Sequence, residues 1–221
     1  MKGTDFGGVH SYIDLHLIQQ RVDIQPAEPK LNLVDIPGAD GSKDLTEMPG
    51  GRVVYNDRIL TWDFALYPGE NWHDKHRQVS NALNGRRCKI TLDDDPGHYY
   101  LGRLSVKKYN TDKLLRQITV EATCSPWMLK QEPTVHTLTV NDGVTYNLTL
   151  LNEAKPAIPT IELTHEAYIG FGGTDAALTT HLSAGVYTSL DIVLQPGENV
   201  LKVSFPGRTG TITVTYQEGS L

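Results

Sequence analysis

Cysteine is scarce in this 221-residue chain, with two in all, and methionine and tryptophan number only three each. Two thiols cannot build a disulfide framework. Cys88 and Cys124 both sit in alternating apolar–polar stretches, which predicts buried free thiols. Long apolar runs are missing, so no helical membrane insertion is expected. Blocks of Lys and Arg are missing too: 20 basic against 26 acidic residues leave a net charge of −6, which argues against a reader of DNA or RNA. The first ten residues lack a charged-then-apolar leader, and synthesis and folding in a cytosol follow as the expectation.

The motifs of catalysis are also lacking. No Gly-x-Ser-x-Gly elbow occurs, and no Asp/Glu pair stands out for glycoside hydrolysis. Gly170-Phe171-Gly172-Gly173 lacks the spacing of a phosphate loop and reads as a flexible turn. Asp93-Asp94-Asp95-Pro96-Gly97 gathers three carboxylates but not the ligand spacing of a calcium loop, so a solvated hairpin turn is the better reading. His73 and His76 fall on one helical face, yet no second His/Cys cluster completes a zinc set. His98, His136, His165 and His181 are scattered singly, and Asn147-Leu148-Thr149 is an idle glycosylation match without a leader. The chain is therefore read as a non-enzyme, with no catalytic, cofactor-binding or metal-binding residues.

What is present is a globular mixture, 39% hydrophobic and 21% charged, dominated by period-two alternation. Leu60-Thr61-Trp62-Asp63-Phe64-Ala65-Leu66 turns four large apolar side chains one way, as a half-buried strand requires. Cys88, Ile90 and Leu92 form a second such set, and Ile118, Val120, Ala122 and Cys124 a third. Ile13, Leu15 and Leu17 alternate similarly, as do Leu31 and Leu33 around Asn32. One helix interrupts: Asn71 caps it, Gly85 closes it, and Trp72, Val79 and Leu83 share a face. From Pro37 to Arg58 turn formers prevail, and Leu45, Met48, Val53 and Val54 are the main apolar side chains. Such a segment predicts a loop or projecting hairpin leaning on something outside its own domain.

Beyond Pro133 the composition changes. Three cations (Lys155, Lys202, Arg208) face eight acids, Thr and Gly become frequent, and Cys, Trp and Met vanish. This predicts two domains, 1–132 and 133–221. Thr145 to Leu150, Leu190 to Leu194, Val200 to Phe205 and Thr211 to Tyr216 read as short strands between Gly and Pro turns, with no helix, as in a β-sandwich.

A resemblance then becomes specific. Phe6-Gly7-Gly8-Val9-His10-Ser11, Ile36-Pro37-Gly38-Ala39-Asp40-Gly41, Leu60-Thr61-Trp62-Asp63-Phe64, Leu83-Asn84-Gly85-Arg86, the Asp94 to Tyr100 turn with Gly102-Arg103, and Cys124-Ser125-Pro126-Trp127 occur in an order that resembles the N-terminal domain of siphophage distal tail proteins. Leu194 to Asn199 and Tyr216 to Leu221 resemble that family's C-terminal domain.

The resemblance implies a mainly β chain. Its N-terminal domain would be β-sandwich-like, with one α-helix and a projecting arm, and its C-terminal domain a galectin-like β-sandwich. It implies a structural virion protein of a siphovirus or prophage, located at the distal end of the tail and made in the bacterial cytoplasm. It implies a hexameric ring joining the tail tube to the tail tip or baseplate, a hub for receptor-binding components, with DNA passing through without specific binding. The net negative charge suits such a channel. Gly38 to Arg58 would be the arm, with Asp40, Leu45, Met48, Val53 and Val54 as its inter-subunit residues. Larger members carry inserted carbohydrate-binding modules, and this chain has no room for one. The alternatives are a carbohydrate-binding β-sandwich protein recognising the host cell wall, and a glycoside hydrolase accessory chain.

Overall fold

The computed structural model describes all residues except 1, 49, 68, 110–115, 174–176 and 189, and only the backbone of Lys108 and Tyr109. The chain is mainly β, with one α-helix among the described residues, and divides into two units, 1–128 with Leu221 and 129–220.

The first unit contains β1 (Thr4–Phe6), β2 (Leu17–Ile24), β3 (Leu33–Asp35), β4 (Ser42–Asp44), β5 (Arg58–Leu66), α1 (Trp72–Leu83), β6 (Arg87–Leu92), β7 (Asp95–Tyr109) and β8 (Gln117–Cys124). Its main sheet is antiparallel, in the order β1-β6-β7-β8-β5-β2. The period-two reading of β5 and β8 is borne out. Leu60, Trp62, Phe64 and Leu66 meet Ile118, Val120, Ala122 and Cys124 on one buried face. Burying side chains of this size stabilises by roughly 1.5–3 kcal/mol each. Phe6 packs edge-on against Trp62 with centroids 5.1 Å apart, and the Trp62 indole donates to Thr4 Oγ1 at 3.0 Å.

Helix α1 forms as its caps dictate. Asn71 Oδ1 accepts from the His73 and Asp74 amides, and Gly85 adopts φ +79° just past the end. Val79 and Leu83 are buried, and so is Lys75, whose ammonium donates to the Leu15 carbonyl at 3.1 Å. The Asp93–Asp94 turn joins β6 to β7, and the Asp93 carboxylate accepts from the Gly3 amide at 2.7 Å and contacts His10 Nε2 at 3.2 Å.

Two alternations misled. Ile13 lies in a turn and is 68% exposed, because His10 Nδ1 accepts from the Tyr12 and Ile13 amides and curls the chain before β2 begins. Leu31 and Leu33 are not half-buried; both stand in water.

The strand β9 (Met128–Lys130) leads into the second unit: β10 (Thr134–Val140), β11 (Thr145–Asn152), β12 (Thr160–Leu163), β13 (Ala167–Phe171), β14 (Thr180–Leu182), β15 (Gly185–Tyr187), β16 (Gly197–Ser204), β17 (Gly210–Tyr216) and β18 (Gly219–Ser220), the last pairing with β9. Two four-stranded antiparallel sheets, β10-β17-β12-β15 and β11-β16-β13-β14, make a sandwich. Its core includes Val140, Ile161, Ile212 and Val214 from one sheet and Leu150, Ile169, Leu201 and Val203 from the other.

Leu190 to Leu194 is not a strand. Ile192 and Leu194 are buried in the expected alternation, but the stretch bends and only Leu194 forms a bridge, to Ala157. Gly170 and Phe171 are strand rather than turn. A Cβ on Gly170 would fall 2.2 Å from the Ala177 carbonyl oxygen, so the glycine admits the close approach of that segment.

Candidate functional site

Between β2 and β5 the chain leaves the sheet as a two-stranded ribbon. At its root, the Asn56 amide donates to the Glu28 carbonyl and the Lys30 amide to the Val54 carbonyl, both at 2.8 Å. Further out the Leu45 amide donates to the Asn32 carbonyl, and Thr46, nearly buried, receives the Asn32 amide on Oγ1. β3 and β4 then pair as a hairpin, Val34 opposite Lys43 and Asp35 opposite Ser42, with the Ser42 hydroxyl on the Asp35 carboxylate at 2.6 Å. The turn at its tip carries Gly38 and Gly41 at positive φ, where a side chain would be strained.

Asp40 is exposed near this tip, Leu45 and Val53 are half-buried, and Met48 and Val54 are 74% and 46% exposed. Sequence reasoning missed half of the surface. The ribbon starts before Pro37, and Leu31, Leu33, Val34 and Ile36 stand 63%, 53%, 43% and 47% exposed on it. The alternation of Leu31 and Leu33 was visible, but alternation says only that one face seeks cover, not whose; Val34 and Ile36 gave no such signal. A two-stranded hairpin is marginal by itself in water, and these side chains leave apolar surface exposed on both of its faces.

The ribbon re-enters the sheet at Arg58, which is buried and lies 5.6 Å over the Tyr100 ring. Burial pushes the neighbouring Cys124 thiol up to about 12, against the pull of the Arg58 charge, and pushes the Cys88 thiol up as well. Both cysteines are free and buried, as the alternation predicted.

A groove of about 760 Å³ opens elsewhere on the same unit, lined by Tyr12, Ile13, His16, Tyr67, Gly69, Glu70 and Asn71. The two tyrosine hydroxyls are 3.1 Å apart. The turn that presents Ile13 is held firmly. Besides the His10 contacts, Asp14 accepts the His10 amide at 2.7 Å, and Lys75 grips the Leu15 carbonyl while standing 3.4 Å from Glu70. A second hollow of about 640 Å³ places Arg87 directly opposite Arg103 beside Ser105 and Thr123.

On the second unit, the outer face of β10-β17-β12 is rich in threonine, with hydroxyl pairs Thr137–Thr213 at 3.3 Å and Thr139–Thr211 at 3.2 Å. On the other sheet Tyr168 and His181 pack with ring centroids 4.7 Å apart, and Glu166 lies 3.8 Å from the imidazole. Among the described residues no group of three or more His, Cys, Asp or Glu is placed to hold a metal ion. No described helix is long and apolar enough to cross a membrane.

These features define a two-unit β protein with a twelve-residue helix and a projecting apolar ribbon. No protein-family profile matches the chain, and no curated protein matches it. Among solved structures it is similar to the crystal structure of SPP1 Dit (gp 19.1), described as a paradigm of the hub adsorption apparatus in Gram-positive infecting phages. The TM-score is 0.70 at 17% sequence identity, over 100% of both chains. The fold is thus that of a siphophage distal tail protein, the kind to which the sequence motifs pointed.

Proposed function

We propose that this chain is a structural component of a phage tail, a hub that closes into a ring of six copies. The ring joins the tail tube to the tail tip or baseplate of a siphovirus or prophage and carries receptor-binding components outside. It works by assembly and catalyses nothing. DNA passes through the ring without specific binding, and the chain is made in the bacterial cytoplasm before entering the virion.

The observation that carries this reading is the ribbon. Its large apolar side chains stand in water on an element with almost no core of its own, while ordering each residue costs roughly 1–2 kcal/mol. Cover from a neighbouring copy supplies the missing burial. A contact between different patches of identical chains closes into a ring when the rotation permits. The shared fold with a hub protein supports the same reading, and the resemblance supplies the number six.

The test is negative-stain electron microscopy with light scattering on the purified full chain at micromolar concentration. Closed rings are the expected result, and a monodisperse monomer overturns the proposal. The carbohydrate reading keeps one specific support, the exposed Tyr168–His181 pair beside Glu166, an arrangement on which a sugar ring can stack.

A further inference from the structure

We infer that His10 is an acid-sensitive clasp on the turn that walls the Tyr12–Ile13–Tyr67 groove: its neutral imidazole holds the turn closed, and a second ring proton releases Tyr12 and Ile13. The device lies within one chain and is independent of the assembly reading.

The contacts fix the state of the ring. A backbone amide can only donate, and two of them point at His10 Nδ1, from Tyr12 at 3.2 Å and from Ile13 at 3.1 Å. Nδ1 therefore presents its lone pair, and the single ring proton sits on Nε2. Nε2 faces the Asp93 carboxylate, 3.2 and 3.3 Å from its two oxygens. The ring is wedged in this orientation, since a Cβ on Gly3 would lie 2.5 Å from His10 Cε1.

The surroundings decide where a second proton goes. Charged groups come from each element packed on the ring: Lys2 paired with Asp94, Asp5 on β1, Asp14 on the turn itself, and Asp93 before β7. Asp5 is taken up by the Gly8 amide and Asp14 by the His10 amide, which leaves Asp93 as the carboxylate on the imidazole. Burial pushes the Asp93 carboxyl up, but the His10 hydrogen bond, the Gly3 amide and the His10 charge outweigh it and leave it below its ordinary value. Asp93 thus stays ionised and keeps the Nε2 proton while an imidazole titrates, and the added proton lands on Nδ1. There it meets two N–H groups and no acceptor. Both hydrogen bonds to the turn are lost together.

The rest of the turn keeps its own ties. The Asp14 and Leu15 amides donate to the His10 carbonyl, and Lys75 donates to the Leu15 carbonyl, none of them through the ring. Opening is thereby confined to Tyr12 and Ile13, which line the groove, and it parts the Tyr12 hydroxyl from that of Tyr67.

The test is hydrogen–deuterium exchange with mass spectrometry on the full chain from about pH 8 to about pH 5, the range in which imidazole changes charge. Rates are corrected for the intrinsic effect of pH, and exchange at the His10 ring carbon reports the ring's own titration. The peptide holding Tyr12 and Ile13 should lose protection by about tenfold, the weight of one hydrogen bond at each amide, while β5 and β8 keep theirs. Its midpoint should match that of the ring. His10→Asn sets a non-titrating acceptor oxygen near the place of Nδ1 and should keep the turn protected throughout. A ring that titrates while the turn stays protected overturns the clasp, as does a ring still uncharged at about pH 5. An equal acid response in His10→Asn assigns the effect to Asp14 and overturns it too. Loss of protection in β5 and β8 alongside the turn is unfolding, not release, and counts against the inference. The match of midpoints is read on the unaltered chain and stands even where the variant fails to fold.

Discussion

Lys130 brings its ammonium to 2.6 Å from the Glu218 carboxylate and 2.9 Å from Glu153, tying the stretch where the second unit begins to the stretch where it ends. Burial opposes the charge on Glu218, but hydrogen bonds from Lys130 and Thr134 and the Lys130 charge outweigh it, so the folded carboxyl sits below its ordinary value. The hydrogen bonds to Glu218 and then Glu153 raise Lys130.

The pH dependence follows in sign. A depressed carboxyl contributes stability above its unfolded value of about 4.3 and loses it as the pH falls through the folded value. The raised ammonium contributes fully below its unfolded value of about 10.4 and loses that contribution as the pH rises through the folded one. Glu218→Gln should flatten the acid-side fall in melting temperature and cost on the order of 1 kcal/mol at neutral pH, screening around the partly exposed Lys130 limiting the loss. An unchanged acid profile in the variant contradicts the role given to this pair.

Shortening the ribbon should uncouple assembly from folding. Replacing residues 33–44 by two glycines keeps the root bonds between Glu28 and Asn56 and between Lys30 and Val54. The product should retain the circular dichroism of a folded β protein but run as a monomer or weak associate in light scattering. Rings of normal size after this change remove the ribbon from the account.

Thr4→Val removes the acceptor of the buried Trp62 indole and the donor to Gln19 Oε1. An orphaned buried donor costs about 1–3 kcal/mol, and denaturant titration followed by tryptophan fluorescence should show a lowered midpoint with an unchanged slope.

The Cys124 thiol, at about 12, should resist alkylation at pH 8 until the chain is unfolded, and mass spectrometry of labelled native protein checks it. Gly102→Ala sets a methyl 2.3 Å from Cys124 Sγ and 3.0 Å from a backbone oxygen, so it should destabilise by about 1–3 kcal/mol.

The second unit is proposed to fold alone, and where a fragment starts should matter. Residues 129–221 retain Lys130 and most of β9, whereas a fragment from 134 loses the clip to Glu218. The longer piece should melt cooperatively and higher. An unfolded longer fragment refutes its independence.

The strands of the core were legible because each buries one whole face against a partner within the chain, as Trp62 does against Val120. Leu31 and Leu33 carry the same signal and read as half-buried, although the described residues leave both exposed. The burial of Lys75 went unread, because nothing in its local pattern reveals the Leu15 carbonyl it meets sixty residues away. The groove was illegible for a related reason. Tyr12 and Tyr67 belong to separate turns, and only the folded sheet brings their hydroxyls together.

The pairing of β9 with β18 gives the second unit a mechanical character. The Lys130 amide donates to the Glu218 carbonyl, Gln217 Nε2 to the Lys130 carbonyl, and the Lys155 amide to the Gly219 carbonyl, so entry and exit are stitched side by side. A pull applied across the two ends of this unit falls first on that seam, and the sandwich sheets carry no tension while the seam holds. The last strand, β18, is therefore anchored beside the strand on which the unit starts, not held at the end of a compliant stalk.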